Sequence, residues 1–248
     1  MDTSIQILAK QLKLPYIKNN YELAINESMD KQYSYEQFLN MILQNELTER
    51  DKNSVIRKIK LARFPYTKYL SELKYDSFSL DVANRIRELQ SLNFINQGQN
   101  IILVGNPGVG KTHTAIGLGI KACMENKTVL FITVPNLITE LKESLSMNQL
   151  TNYKKKFICY DLVVLDELGY ISFDKQGSEL LFNLLSLRND SKSIIITTNL
   201  NFNRWQEIFN DPTLTAAMID RLTHKAYVIN IKGESYRLKE TKEWLIKD

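Results

Sequence analysis

Apolar residues recur at helical intervals along the first part of the chain and in short unbroken runs along the rest, so two regions are predicted. Ile5, Leu8 and Leu12 give a short helix stopped near Pro15, and Tyr21, Ala24 and Ile25 give a second. Ser34, with Gln37 three residues on, has capping-box spacing and opens a long helix through Phe38, Leu39, Ile42, Leu43 and Leu47. The pattern continues through Val55, Ile56 and Ile59 and ends near Pro65, with no glycine between Met1 and Asp76. A small all-helical domain over residues 1–65, a linker over 66–78 and a larger domain over 79–248 are expected.

Ser79 is a candidate N-cap for a helix over Leu80–Leu92. Strands are then predicted at Ile101–Val104, Thr128–Thr133, Leu162–Leu165 and Ser193–Thr197, with a last one at Ala226–Ile231. Between them lie helices at Lys111–Glu125, Leu137–Leu145 and Glu179–Leu187, then two more through Trp205 and Met218. Near-continuous apolar strands separated by helices specify an α/β fold with a parallel sheet covered on both faces.

A length of 248 residues allows one large domain, or a medium one with a smaller partner. A hydrophobic content of 44% is that of a globular chain. No apolar run approaches a membrane span and the N-terminus lacks a secretory signal, so no membrane association and a cytoplasmic location are expected. Cys123 and Cys159 are too few for a disulfide framework and read as core or near-core residues. Two histidines make a His-rich metal centre or a Ser-His-Asp triad improbable. The net charge of +4 matters less than its distribution. Eight basic and two acidic residues fall between Arg50 and Lys74, interleaved with Tyr66 and Tyr69. Arg57, Lys58, Lys60, Arg63 and Lys68 are candidate phosphate-backbone contacts, or else the solvated face of a long helix and its linker.

The chemistry centres on Gly105-Asn106-Pro107-Gly108-Val109-Gly110-Lys111-Thr112, preceded by a strand and followed by a helix. This is the spacing of a phosphate-binding P-loop, in which glycines let backbone N–H groups turn inward on phosphate oxygens. Lys111 is placed to reach the β- and γ-phosphates of ATP and Thr112 to ligate Mg²⁺. His113 belongs to the same nucleotide-binding stretch but is expected to face outward on the helix. Leu162–Leu165 runs into Asp166 and Glu167. Asp166 is the expected Mg²⁺-holding acid and Glu167 the group that orients and deprotonates a water attacking the γ-phosphate. If the Ile194–Thr198 strand lies between the strands of Lys111 and Asp166, Asn199 helps position that water. Arg221 reads either as a finger for a neighbouring subunit's nucleotide or as an ion-pair partner of Asp220 or Asp211. Arg237 is a phosphate-sensing candidate or a solvated arginine.

Together these stretches resemble an AAA+ ATPase of the IstB/DnaC type. Lys60-Leu61-Ala62-Arg63-Phe64-Pro65 is similar to the IstB linker, and residues 160–170 to its Walker B segment. Residues 220–224 and 233–237 are similar to its later motifs. The resemblance implies Asn199 as sensor I, Arg221 as a trans-acting finger and Arg237 as sensor II. It also implies an ATP-hydrolysing transposition helper, working with ATP and Mg²⁺. Such a protein assembles as a homo-oligomer on double-stranded DNA and directs a transposase, partly through its helical N-terminal domain. A DnaC-like helicase loader is the alternative. The short stretch after the last strand implies that the AAA+ lid is absent or reduced to one helix. A small-molecule kinase is disfavoured by Glu167 beside Asp166, a GTPase by the lack of an NKxD-type motif, and a non-hydrolysing adaptor stays open.

Overall fold

The computed structural model describes residues 4–188, 191–236, 238, 241 and 244. It divides into two compact units, Met1–Arg57 and Lys58–Asp248. The division falls earlier than the expected boundary after Pro65, because Ala62, Leu70 and Leu73 are buried in the core of the larger unit.

In the smaller unit, α1 (Ser4–Gln11) is followed by α2 (Pro15–Asp30) and α3 (Tyr35–Leu61), the last crossing the division. Pro15 opens α2 instead of merely stopping α1, because its fixed φ and missing N–H suit a first helical position. The capping box forms as expected. The Gln37 N–H donates to Ser34 Oγ at 3.2 Å, and the Ser34 N–H donates to Gln37 Oε1 at 2.8 Å.

In the larger unit, α4 (Leu80–Leu89) is capped by Ser79 Oγ, which accepts from the Val82 N–H. It ends before Leu92, whose left-handed φ of 58° starts the short α5 (Asn93–Asn96). The sheet strands are β1 (Asn100–Val104), β2 (Val129–Thr133), β3 (Leu162–Leu168), β4 (Ser193–Thr198) and β5 (Ala226–Asn230). The remaining helices are α6 (Lys111–Met124), α7 (Val134–Ser146), α8 (Leu150–Cys159), α9 (Lys175–Ser186), α10 (Gln206–Phe209) and α11 (Pro212–Thr223). The sequence pattern did not predict α8, whose apolar positions Tyr153 and Phe157 are separated by a Lys154–Lys156 run.

All strand pairs are parallel, in the order β2-β3-β4-β1-β5. Alternation along each strand feeds two cores. Ile101 and Leu103 join Ile116, Leu118 and Phe131 on the face of α4 and α6, while Ile102 and Val104 join Leu137, Leu184 and Trp205 on the face of α7, α9 and α10. Trp205 is fully buried there, and its Nε1–H donates to Leu200 O at 3.4 Å. Cys123 is buried, and burial pushes its thiol up to about 11. Cys159 is exposed, against the core position expected for it, because it ends α8 facing out. β4 inserted between β1 and β3 brings the carboxyl ends of all three strands together, the place where open α/β sheets carry ligands.

Candidate active site

The loop from Gly105 to Gly110 joins β1 to α6 and owes its shape to its glycines. Gly108 and Gly110 adopt φ of +82° and +98°, in the region that L side chains rarely enter. A Cβ on Gly108 would come within 2.1 Å of Ser235 Oγ, and one on Gly105 within 2.3 Å of Ile231 O, so the stretch after β5 closes on the loop. Lys111 is buried, and its ammonium donates to Gly105 O at 2.7 Å and Asn106 O at 2.8 Å. A cation held by the loop's own carbonyls, beside a helix N-terminus, forms a cradle suited to phosphate oxygens.

Across the loop, Thr112 Oγ1 donates to Asp166 Oδ1 at 3.0 Å. Asp166 is buried at the end of β3 and also accepts from Thr197 Oγ1 on β4 at 2.5 Å. The Glu167 N–H donates to the same Thr197 hydroxyl at 3.1 Å. Thr197 therefore couples the two acids, a role the sequence reading did not assign; its signal was a polar residue ending the strand next to Asp166. Glu167 has a left-handed φ of 65°, which sends its side chain out of the sheet. Lys111, Thr112, Glu167 and Thr197 line one cavity of about 170 Å³ together with Gly108, Gly110, His113 and Tyr236. A larger cavity of about 310 Å³ shares Gly108, Gly110, His113 and Tyr236 and is completed by Lys68, Lys74, Phe78 and Glu234, among others.

The other expected site residues fall elsewhere. Asn106 and Pro107 complete the loop, and Val109 lines the larger cavity. Asn199 lies just past β4 and does not line the smaller cavity; its Oδ1 is buried near Gly169 without a hydrogen-bond partner. Arg221, on α11, pairs with neither Asp220 nor Asp211; its guanidinium stacks 4.7 Å from the Phe182 ring and donates to Ser186 Oγ on α9. Arg237 lies outside the described residues. His113 does not face outward: it is half-buried, with Nε2 3.0 Å from Tyr69 O. Arg57 and Lys60 are exposed. Lys58 donates to Asn126, Arg63 pairs with Glu140 at 2.8 Å and Lys68 with Glu72 at 3.5 Å.

Below the site, the start of β3 is clamped by buried charge. The Arg188 guanidinium, fully buried, donates to Phe157 O and Tyr160 O at 2.9 Å and to Ser193 O at 3.0 Å. Burial pulls this guanidinium down to about 10, with Asp161 opposing. Asp161 pairs with Lys192 at 2.7 Å and accepts from the Thr128 N–H at 2.9 Å. Burial works against its charge, but the Lys192 and Thr128 hydrogen bonds outweigh burial and bring its carboxyl down to about 2.

A phosphate loop on β1, an acid-ended β3 and an intervening β4 define a P-loop fold of the AAA+ type. Two solved structures share it: a DnaC helicase loader (TM-score 0.53, 22% identity, 67% of this chain and 93% of that one) and DnaI (TM-score 0.56, 21% identity, 71% and 94%). The chain belongs to the IstB-like ATP binding protein family, whose model matches residues 7–244. It is 36% identical over 240 residues to the insertion sequence IS21 putative ATP-binding protein of Pseudomonas aeruginosa, covering 96% of this chain and 90% of that one. It is 33% identical to the IS5376 putative ATP-binding protein of Geobacillus stearothermophilus, over 97% of this chain and 96% of that one. No helix among the described residues is long and apolar enough to cross a membrane.

Proposed function

We propose that the protein is a cytoplasmic Mg²⁺-dependent ATPase that assembles on double-stranded DNA with ATP bound and directs a transposase to that DNA. The observation that carries the hydrolytic part is the cavity in which Lys111, Thr112 and Glu167 meet. The larger cavity, with Phe78 and Tyr236 in its wall, has the size and aromatic lining for the base and ribose. Lys111 would leave the carbonyls of Gly105 and Asn106 for the β- and γ-phosphates, and the loop N–H groups would hold the phosphate oxygens. Thr112 and Asp166, already sharing a hydrogen bond, are the donor set for Mg²⁺, which when bound supplies charge neutralisation at the phosphates. The Glu167 backbone is held by Thr197, and its carboxylate is the group that would orient the attacking water and take its proton. Asn199, just past β4, is the water-positioning candidate, and Arg237 is the phosphate-sensing candidate on the C-terminal segment.

Arg221 stands apart from its own chain's cavity, which suits a finger offered to the next copy. The DNA and transposase parts draw on the basic residues 57–68 and on the insertion-sequence names of the relatives. A DnaC-like loader is the second reading, supported by fold likeness alone. A sizing and mobility assay with duplex DNA in ATP, in ADP and without nucleotide tests the proposal. A larger protein–DNA complex only with ATP is expected, and one of equal size in all three conditions would overturn it. Co-purification with a replicative helicase in place of a transposase would favour the loader.

A further inference from the structure

Residues 62–72, which carry Arg63 and Lys68, are stitched once to β2 and at three places along α6. Ala62 O accepts from the Phe131 N–H at 2.8 Å, and the Phe64 ring lies against Gly119, where a Cβ would come within 2.9 Å of it. Leu70 lies against Gly117, where a Cβ would come within 2.7 Å. The third tie is the His113 Nε2 contact with Tyr69 O at 3.0 Å. A carbonyl only accepts, so Nε2 carries the proton. His113 follows Thr112 in the first turn of α6, and its ring lines both nucleotide-site cavities. A histidine that merely fills space would not join the phosphate-loop turn to the backbone of the basic segment.

We infer that His113 is a positioning residue that links the basic segment at Tyr69 to the first turn of α6, so that DNA on the segment and nucleotide in the loop change each other's affinity. This rests on the proposed ATP and DNA roles. The Arg63–Glu140 and Lys68–Glu72 pairs are about half-exposed surface pairs, so phosphates displace these carboxylates at modest net cost. At Gly117 and Gly119 the Leu70 and Phe64 side chains lie directly against the backbone of α6, so displacement of the segment reaches the helix directly. That helix is buried along most of its length and moves as a rigid element, carrying Lys111 and Thr112 with it. Linkage makes the effect reciprocal.

The test is fluorescence anisotropy of a labelled DNA duplex, with saturating non-hydrolysable ATP analogue and without nucleotide. It compares wild type, His113→Ala, His113→Gln and Leu70→Ala. Wild type is expected to show a ratio of dissociation constants in the usual coupling range, about 5- to 150-fold. His113→Ala should bring the ratio close to one, and His113→Gln, which keeps a terminal N–H donor, should restore much of it. Leu70→Ala should lower it from the segment side, which keeps the inference testable if the alanine variant at 113 fails to fold. A wild-type ratio of one would overturn the DNA and ATP reading together with this inference. A normal wild-type ratio that survives in both His113→Ala and Leu70→Ala, even with weaker DNA binding overall, would overturn this inference alone.

Discussion

Thr197 shows how one hydroxyl can organise two acids of different use. It donates to Asp166 and accepts from the backbone of Glu167, so the buried acid and the exposed one are fixed by the same atom. Thr197→Val should leave both groups short of a partner and cost about 1–3 kcal/mol in urea unfolding, with turnover reduced as well. Glu167→Gln should lower ATP turnover by about 10²–10⁴-fold while nucleotide binding, followed with a fluorescent analogue, stays within a few-fold. Arg188 is the structural counterpart. Its guanidinium supplies donors to carbonyls of α8, of the turn into β3 and of β4, and Arg188→Met would orphan them. A loss of about 1–3 kcal/mol is expected from chemical denaturation, the cost of leaving a buried acceptor unsatisfied. The sequence disclosed Lys111, Thr112, Asp166 and Glu167 because their spacing is local to a strand end and a glycine loop. It did not disclose Thr197 or Arg188, whose roles come from strands and helices far apart in the chain.

Among the elements, the five strands were the most legible, since strands buried on both faces read as unbroken apolar runs. Their order was not legible: the insertion of β4 between β1 and β3 rests on tertiary pairing, and the reading of Asn199 depended on it. Helix α8 was missed because Tyr153 and Phe157 are its main apolar contacts and lysines fill the turn between them. The clamp at the start of β3 has a pH signature. The Asp161 carboxyl lies at about 2 in the fold against 3.8 unperturbed, so its ion pair stabilises above about pH 4. That contribution should be lost as pH falls from about 4 to about 2, and Asp161→Asn should remove this part of the acid sensitivity in denaturation midpoints measured across that window. Helix α6 carries a different constraint. Gly117→Ala would push a methyl into Leu70 and is expected to cost about 1–3 kcal/mol in urea unfolding.

At the scale of the whole molecule, the two units differ in how they are built. The larger unit holds both cores, whereas the described residues buried in the smaller one are Ala9, Ala24 and Glu46. Leu39, Leu43 and Leu47, which gave the sequence its clearest helical period, are about 60% exposed along α3. Periodicity therefore specified the helix there but not a core beneath it. If adjacent copies complete one another's sites through Arg221, Arg221→Ala and Glu167→Gln should each be nearly inactive, while their mixture on DNA recovers ATPase activity in a phosphate-release assay. The segment after β5 has a practical consequence. Ile231 donates its N–H to Val104 O, Ser235 fills the space behind Gly108, and the Tyr236 N–H bonds to Gly108 O. Residues 231–236 thus lean on the catalytic loop, so Tyr236→Pro, which removes the N–H bonded to Gly108 O, would free one side of that loop and weaken its grip on a nucleotide.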